Sequence, residues 1–329
     1  KIKYQRADLL YFQRDWASCG PAFDAVVAED PSGPLAAESA YAALLCYQEV
    51  YHQAHQGRSD RAGLAAAGPG RGVDLAPKEL DAPEKAMIGA FDRYLCYIKP
   101  AASDREGKDR LVDVKYARAR IYFENHRWEE AAVAFRDVAL NHADSDVGVY
   151  AAQLSLEALN VLGATLAPGR PACFDEMSRD VPRYVDLYCS SAMRPENAES
   201  CASLARVECD LQRSAIDSMM SKASGQGSAA DYERAATAYL ELWNKRGKQS
   251  TENKLPTCGN MDQVLHNAAR AFQAAHLLAK AISVRKILID PRYNLEKSDL
   301  GRKAVRDIGQ NYQAIAVYDE AASYYERYA

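Results

Sequence analysis

The chain has 329 residues, more than one compact hydrophobic core usually supports, whereas a repeat array has no such limit because each repeat packs only against its neighbours. Its 41 Lys and Arg residues nearly balance 45 Asp and Glu residues, for a net charge of −4. This balance argues against a general nucleic-acid-binding protein, which requires a clustered basic excess. The sequence also lacks an apolar run of the length that spans a membrane.

An aromatic ladder recurs along the sequence: an aromatic residue, a small residue three positions later, and a second aromatic residue four positions beyond it. In chain order the triplets are Trp16, Cys19 and Phe23; Trp128, Ala131 and Phe135; Tyr232, Ala235 and Tyr239; and Tyr318, Ala321 and Tyr325. Positions with this spacing lie on one face of a helix, so each triplet predicts a buried stripe with a small residue where a neighbouring helix approaches. Repetition of one packing pattern indicates a repeat protein.

A second stripe, made of a small residue and a bulky one, precedes three of the ladders by nine and six residues. These pairs are Ala7 and Leu10, Ala119 and Tyr122, and Gly309 and Tyr312. Neither stripe can be buried by one helix alone, so the repeating unit is predicted to be a helix hairpin that stacks on its neighbours.

On these residues, with Val26, Pro31 and Val138, the chain resembles the tetratricopeptide repeat (TPR) family, whose unit has about 34 residues. A weaker copy runs through Ala269, Phe272, Ala281 and Leu288, where Arg285 stands in place of the expected aromatic residue. The resemblance implies an all-α fold: an α-solenoid (superhelix) of stacked antiparallel helix hairpins. It also implies a scaffold for protein–protein interaction, of the kind found in bacterial cell-envelope assemblies.

The helical pattern is interrupted by Gly- and Pro-rich segments, which suggest two groups of repeats. We expect TPR-like repeats at 1–165, with a mobile Gly/Ala-rich loop at 57–72. A second group is expected at 166–329, with a Cys-rich helical hairpin at 173–209. The chain begins at Lys1, without Met and inside a helical pattern, which indicates a piece of a longer protein.

The sequence contains 8 cysteines, half of them within 173–209, and no C-x-x-C motif. Two antiparallel helices place residues equidistant from the turn at the same height, and Pro195 lies midway between Cys189 and Cys201. That pair can therefore reach the Cα separation of a disulfide, and Cys173 with Cys209 is a candidate outer bridge.

The first hairpin offers another pair, because the turn at 31–34 is centred between Cys19 and Cys46. The alternative is that Cys19 only fills a small-residue position as a free thiol. Disulfides imply an oxidising compartment. With the Ala-, Arg- and Gly-rich composition, we expect the periplasm or cell surface of a bacterium, with the cytoplasm as the alternative.

Enzyme signatures are missing from the sequence, including the P-loop, the G-x-S-x-G elbow and H-E-x-x-H. We therefore expect no catalysis and no cofactor. Glu49, His52 and His55 share one helix face with the spacing of a weak metal site, but we interpret them as a solvated helix end and expect no metal.

The resemblance implies that the first helix of each repeat lines a concave groove for a protein or peptide partner. Carried onto this sequence, the contact positions are Tyr11, Phe12, Tyr116, Arg120, Phe123, Glu124, His266, Arg270, Gln273, Arg306 and Gln310. Arg120 and Arg270 occupy the same repeat position, which suits recognition of a carboxylate. Tyr11, Phe12 and Phe123 are expected to form apolar pockets.

The sequence thus predicts a non-catalytic scaffold without nucleic-acid partners, in a bacterial envelope or surface-motility assembly. The alternative is that these repeats are the accessory region of a larger enzyme or sensor.

Overall fold

A computed structural model of the chain describes residues 2–55, 75–189, 197–252 and 258–329. Within these ranges every regular element is helical, which confirms the predicted all-α fold of helix hairpins. The Gly/Ala-rich loop expected at 57–72 and the turn expected at Pro195 lie outside the described residues.

The chain divides into two compact units, Lys1–Glu176 and Met177–Ala329. The domain boundary expected after residue 165 stays a prediction. None of the helices in the described ranges is long and apolar enough to cross a lipid bilayer.

Unit 1 consists of helices that pack against their neighbours in chain order. They are α1 Ile2–Phe12, α2 Trp16–Glu29, α3 Ala36–Ala54, α4 Ala82–Tyr97, α5 Arg105–Glu124, α6 Trp128–Asn141 and α7 Gly148–Asn160. The next helix, α8 Ala172–Tyr188, contains the boundary between the two units.

Acidic residues begin several of these helices. Asp15 accepts a hydrogen bond from the Ser18 amide, and Asp104 accepts one from the Gly107 amide. Such caps satisfy backbone donors that have no partner within the helix.

Unit 2 begins within α8 and continues with helices of less regular length, from 5 residues in α11 to 29 in α9. They are α9 Ala198–Gln226, α10 Ala229–Leu242, α11 Lys248–Glu252, α12 Met261–Ala274, α13 Leu278–Leu288, α14 Asp299–Ala314 and α15 Tyr318–Tyr328. Helix α12 packs against α10, α13 and α14, so it is covered on several sides. The fully buried Trp243 lies near the centre of this core, with the Tyr293 ring edge-on at 5.0 Å.

Four hairpins share one turn, in which a non-glycine residue takes the left-handed conformation. These residues are Arg14, His126, His276 and Ala316, with φ of 58°, 58°, 61° and 59°. In each turn the N–H of that residue donates to the carbonyl three positions back, and the next N–H donates five positions back. This is the Schellman arrangement, which satisfies the last carbonyls of the first helix. The second helix begins immediately after it.

The aromatic ladders are buried where a neighbouring helix covers them. Trp128, Ala131 and Phe135 have almost no exposed surface, and so do Ala235 and Tyr239. Small residues are required on the first helices as well: a Cβ added at Gly309 would lie 2.9 Å from the ring of Tyr325. The last ladder departs from the prediction, because Tyr318 is 67% exposed and no described helix lies over it.

Three disulfides are present in the described part of the chain. Cys19 bonds Cys46 across α2 and α3, and Cys189 bonds Cys201 across α8 and α9. The expected outer bridge between Cys173 and Cys209 is wrong. Cys209 is instead bonded to Cys258, whereas Cys173 is a free thiol. Sequence symmetry about one turn could not find this pair, because Cys258 lies in an irregular connection without a helical register.

Candidate functional site

The predicted groove residues at the start of unit 1 form a small aromatic cluster. Phe12 is 75% exposed, and its ring meets that of Tyr11 edge-on with centroids 6.2 Å apart. Tyr11 is half-buried because its ring also packs on Trp16 at 5.3 Å. Phe12 therefore offers apolar surface, and Tyr11 serves mainly to support it.

The predicted groove residues on α5 are already engaged within unit 1. Arg120 and Glu124 form an ion pair of 2.7 Å one helical turn apart, and Tyr116 is half-buried against Phe135. The expectation of an exposed apolar contact at Phe123 is wrong, because this side chain is buried against Trp128 with centroids 5.0 Å apart. Phe123 stands at the last turn of α5, so its ring folds over the connection onto the next helix.

The corresponding residues of unit 2 lie on two helices that touch each other, α12 and α14. On α12, Arg270 and Gln273 are exposed, but His266 is only 6% exposed, so the expectation of a groove contact there is wrong. The side chain of His266 is buried because α10, α13 and α14 all pack against α12. On α14, Gln310 is exposed and Arg306 is half-buried.

Arg285 on α13 lies beneath these residues, at the ladder position that holds Phe135 in the α5/α6 hairpin. It is 2% exposed, and its Nη2 donates to the side-chain oxygen of Gln273 at 2.8 Å. Its nearest carboxylate belongs to Asp307 on α14, at 3.7 Å, which is an ion pair but too long for a hydrogen bond. A guanidinium that is always charged therefore stands in the core of unit 2 with incomplete compensation.

Several buried donors around Arg285 have no hydrogen-bond partner in the described part of the chain. They are Nε and Nη1 of Arg285, Nε of Arg306 and Nδ2 of Asn311. Asn311 stands one helical turn after Asp307, and Asp307 is also 3.5 Å from Arg306, so these atoms belong to one cluster. Buried polar groups are normally satisfied, and each of these groups lacks an acceptor rather than a donor.

The electrostatic field of this cluster is positive. Arg285 and Arg306 form ion pairs with Asp307, and the charges of Lys303, Arg270 and Arg285 act on His266 together with that one carboxylate. Burial lowers the pKa of His266, and the nearby Lys303 and Arg270 lower it further. Burial likewise lowers the pKa of Arg285, and Asp307 opposes this effect.

We call this set the α12–α14 cluster: His266, Arg270, Gln273, Arg285, Lys303, Arg306, Asp307 and Asn311. Its chemistry suits an acceptor-rich anionic group such as a carboxylate, because unsatisfied donors and positive charge coincide. Sequence reasoning found Arg270, Gln273 and Arg306 but missed Asp307 and Asn311. The one feature of the sequence that could have indicated this cluster is Arg285, which stands where the ladder has an aromatic residue.

Comparisons with known proteins give little beyond this geometry. No protein-family model matches the chain, and no curated protein matches it. The solved TPR domain of P58(IPK) aligns with 99% of this chain and 91% of its own, at 12% identity and a TM-score of 0.25. The human IFIT1 dimer with m7Gppp-AAAA aligns with 96% and 68%, at 15% identity and a TM-score of 0.17. Likenesses at these TM-scores add no support, so the fold assignment rests on the helix packing described above.

Proposed function

We propose that this protein is a non-catalytic scaffold that binds an acidic segment of a partner protein at the α12–α14 cluster. The observation that carries the proposal is the excess of positive charge at this place, where the exposed Arg270 and Lys303 lie near the buried and incompletely paired Arg285. A carboxylate of a partner that docks on Arg270 and Lys303 would neutralise this charge.

The outer part of the cluster is suited to the first encounter with such a partner. Arg270 and Lys303 are exposed, so they can attract and contact an acidic segment, whereas the buried Arg285 adds to the attraction through its charge alone. The rigid hairpins hold these residues in place, which keeps the ordering cost of binding low. In unit 1, Phe12 adds an exposed apolar contact for a partner.

The disulfides indicate an oxidising compartment outside the cytoplasm. We further propose the periplasm or cell surface of a bacterium, in an envelope or surface-motility assembly. Nucleic acid is not expected as a partner, because the chain as a whole carries no basic excess.

The test is the binding of a short labelled glutamate-rich peptide, followed by fluorescence anisotropy at low and at physiological salt. We expect the glutamate peptide to bind and its glutamine counterpart to bind about tenfold more weakly or not at all. The Arg270→Glu/Lys303→Glu double variant should abolish binding of the glutamate peptide.

A matched control reverses the same amount of charge in unit 1, at Lys3 and Arg105. These exposed residues pair with Glu29 and Asp109. If Lys3→Glu/Arg105→Glu weakens binding as much as the first variant, the attraction is only general and the site is wrong. A labelled RNA oligonucleotide that binds more tightly than the glutamate peptide would also overturn the proposal.

A further inference from the structure

Helix α1 of unit 1 exposes an apolar stripe. Ile2 is 83% exposed and Leu9 is 56% exposed. The two residues are two helical turns apart on one face of α1, and Ala7, the small residue that packs against α2, lies on the opposite face. Single apolar side chains are common on protein surfaces, so this stripe is informative only if its positions have a role elsewhere in the repeats.

The same two positions are buried in the other first helices. They lie five residues before and two residues after the small residue, and in α5 they hold Val114 and Ile121. Both are buried in one core cluster with Met87 and Phe91 of the preceding helix α4. These are therefore positions at which a first helix packs on the element before it. Their counterparts in α12 and α14 are buried as well: Val264, Ala271, Ala304 and Asn311.

Helix α15 of unit 2 has an open face of the matching kind. The residue four positions after the start of a second helix is Gly20 in α2, Ala132 in α6 and Ile282 in α13, and all three are buried. The following helix comes close at this position, since a Cβ added at Gly20 would lie 2.9 Å from the ring of Tyr47 on α3. The counterpart in α15 is Ala322, which is exposed. Its small side chain leaves a place where another helix can approach.

The open face of α1 also carries an exposed basic residue, Arg6. Arg6 stands directly before the small residue, as Arg118 does in α5. The Nε atom of Arg118 is 2.9 Å from Oδ1 of Asp92 on the preceding helix α4. At this position of a first helix, an arginine can therefore pair with an acidic residue of the helix on which it packs.

The open face of α15 carries the opposite charge, at the exposed Glu326. Glu326 lies eight positions after the start of its helix, as Lys286 does in α13. Lys286 Nζ donates to the hydroxyl oxygen of Tyr312 on the following helix α14 at 2.9 Å. A side chain at this position of a second helix thus reaches the next first helix. Arg6 lies one helical turn before Leu10, which is the counterpart of Tyr312 in α1.

We propose that α1 of one copy of this chain packs on α15 of a second copy, with Arg6 of one paired to Glu326 of the other. The first helix of one copy would then take the place that follows the second helix in the described hairpins. Because the contact joins two different surfaces, it is heterologous and adds further copies head to tail. It uses neither Arg270 nor Lys303, so it is independent of the peptide binding proposed above.

The experiment is sedimentation equilibrium of the full chain from about 1 to 100 μM. Cys96→Ser and Cys173→Ser are present in every sample, so that the free thiols cannot form an intermolecular disulfide. We expect an average mass that rises with concentration beyond that of two chains. Leu9→Glu or Ala322→Glu alone should weaken association at least about tenfold. Mixed together, these two variants should form a one-to-one dimer and nothing larger, because each keeps one intact face.

A charge exchange tests the proposed ion pair. Arg6→Glu should weaken association, and the double variant Arg6→Glu/Glu326→Arg should restore it. Val133→Glu is the matched control, because Val133 is an apolar side chain that is 71% exposed on α6, outside both faces. A chain that stays monomeric at about 100 μM, dimers formed by Leu9→Glu or Ala322→Glu alone, or an equal loss with Val133→Glu would each overturn the proposal.

Discussion

The α5/α6 hairpin of unit 1 and the α12/α13 hairpin of unit 2 use the same turn and the same small-residue positions, but differ in their interiors. In the first, Phe135 packs against Phe123 and Tyr116 with centroids 6.0 and 5.5 Å away. In the second, Arg285 takes the position of Phe135 and contacts Gln273 and Asp307. One hairpin is closed by aromatic packing, and the other by incompletely paired polar groups.

This difference shows that the second aromatic residue of the ladder is not needed for a hairpin to form. The α12/α13 hairpin forms the same turn with Arg285 in place of the aromatic residue, so the turn itself does not require that residue. A charge in place of an aromatic ring costs desolvation that packing must offset elsewhere, which natural proteins accept mainly at functional sites. The α12/α13 hairpin is therefore where we expect stability and binding to oppose each other.

The largest effect is expected from Phe135→Ala, which should lower the free energy of unfolding of unit 1 by about 3–5 kcal/mol, because a fully buried ring would leave a cavity. Chemical denaturation followed by tryptophan fluorescence measures it, since Trp128 lies in the same hairpin. A loss below about 1 kcal/mol would mean that the aromatic packing does not stabilise this hairpin.

Restoring an aromatic ladder in unit 2 should have the opposite sign. The Arg285→Phe/Asp307→Leu double variant removes both partners of the buried ion pair, so we expect a gain of about 1–3 kcal/mol. The same variant should lose binding of the glutamate-rich peptide. Denaturation and anisotropy on one sample test both effects, and a less stable variant would show that the ion pair is itself a structural requirement.

Acidification should destabilise unit 2 through His266, whose pKa is lowered by burial and by Lys303 and Arg270. Below the unfolded pKa of about 6.5, the unfolded state binds a proton that the folded state excludes. Stability should therefore fall as pH drops from about 6.5 towards the folded pKa, by at most about 1.4 kcal/mol per pH unit. The His266→Asn variant should show a flatter profile, and an unchanged slope would assign the effect to another group.

The smallest effect concerns the shared turn. His276 is exposed in its left-handed conformation, so His276→Gly should stabilise unit 2 by about 0.5–1 kcal/mol. His126 has the same conformation, but its ring stacks on Trp128 with centroids 5.1 Å apart. His126→Gly should therefore give no gain, and thermal unfolding of the two variants compares them directly. Equal gains would show that the stacking contributes nothing.

The helix hairpins could be predicted from the sequence because the spacing of buried residues within one helix is a local feature. Trp128, Ala131 and Phe135 have the spacing of one helix face, and all three are buried as that spacing predicts. The same periodicity marks Arg285 as an interior position, but it does not identify Asp307, which belongs to another hairpin. Periodicity gives the face of a helix, whereas the partners of a buried charge depend on how hairpins stack.

The prediction of groove residues failed at two positions for the same reason, because burial there depends on how neighbouring elements pack. Phe123 and His266 stand at first-helix positions that the family resemblance implies are open, yet both are buried. Phe123 is covered because the chain turns sharply after α5, and His266 because α12 has neighbours on several sides. Such coverage varies with the irregular elements of each unit, which no repeat pattern encodes.

The Cys209–Cys258 disulfide has a consequence for how this chain would respond to a protease. It closes a ring that contains the rest of α9 together with α10 and α11, over a sequence separation of 49 residues. A single peptide-bond cut inside this ring leaves both fragments covalently joined. On a denaturing gel the cut protein would migrate as one species without reductant and as two species with it. In an oxidising compartment, a cut in this part of unit 2 would therefore not separate the two fragments.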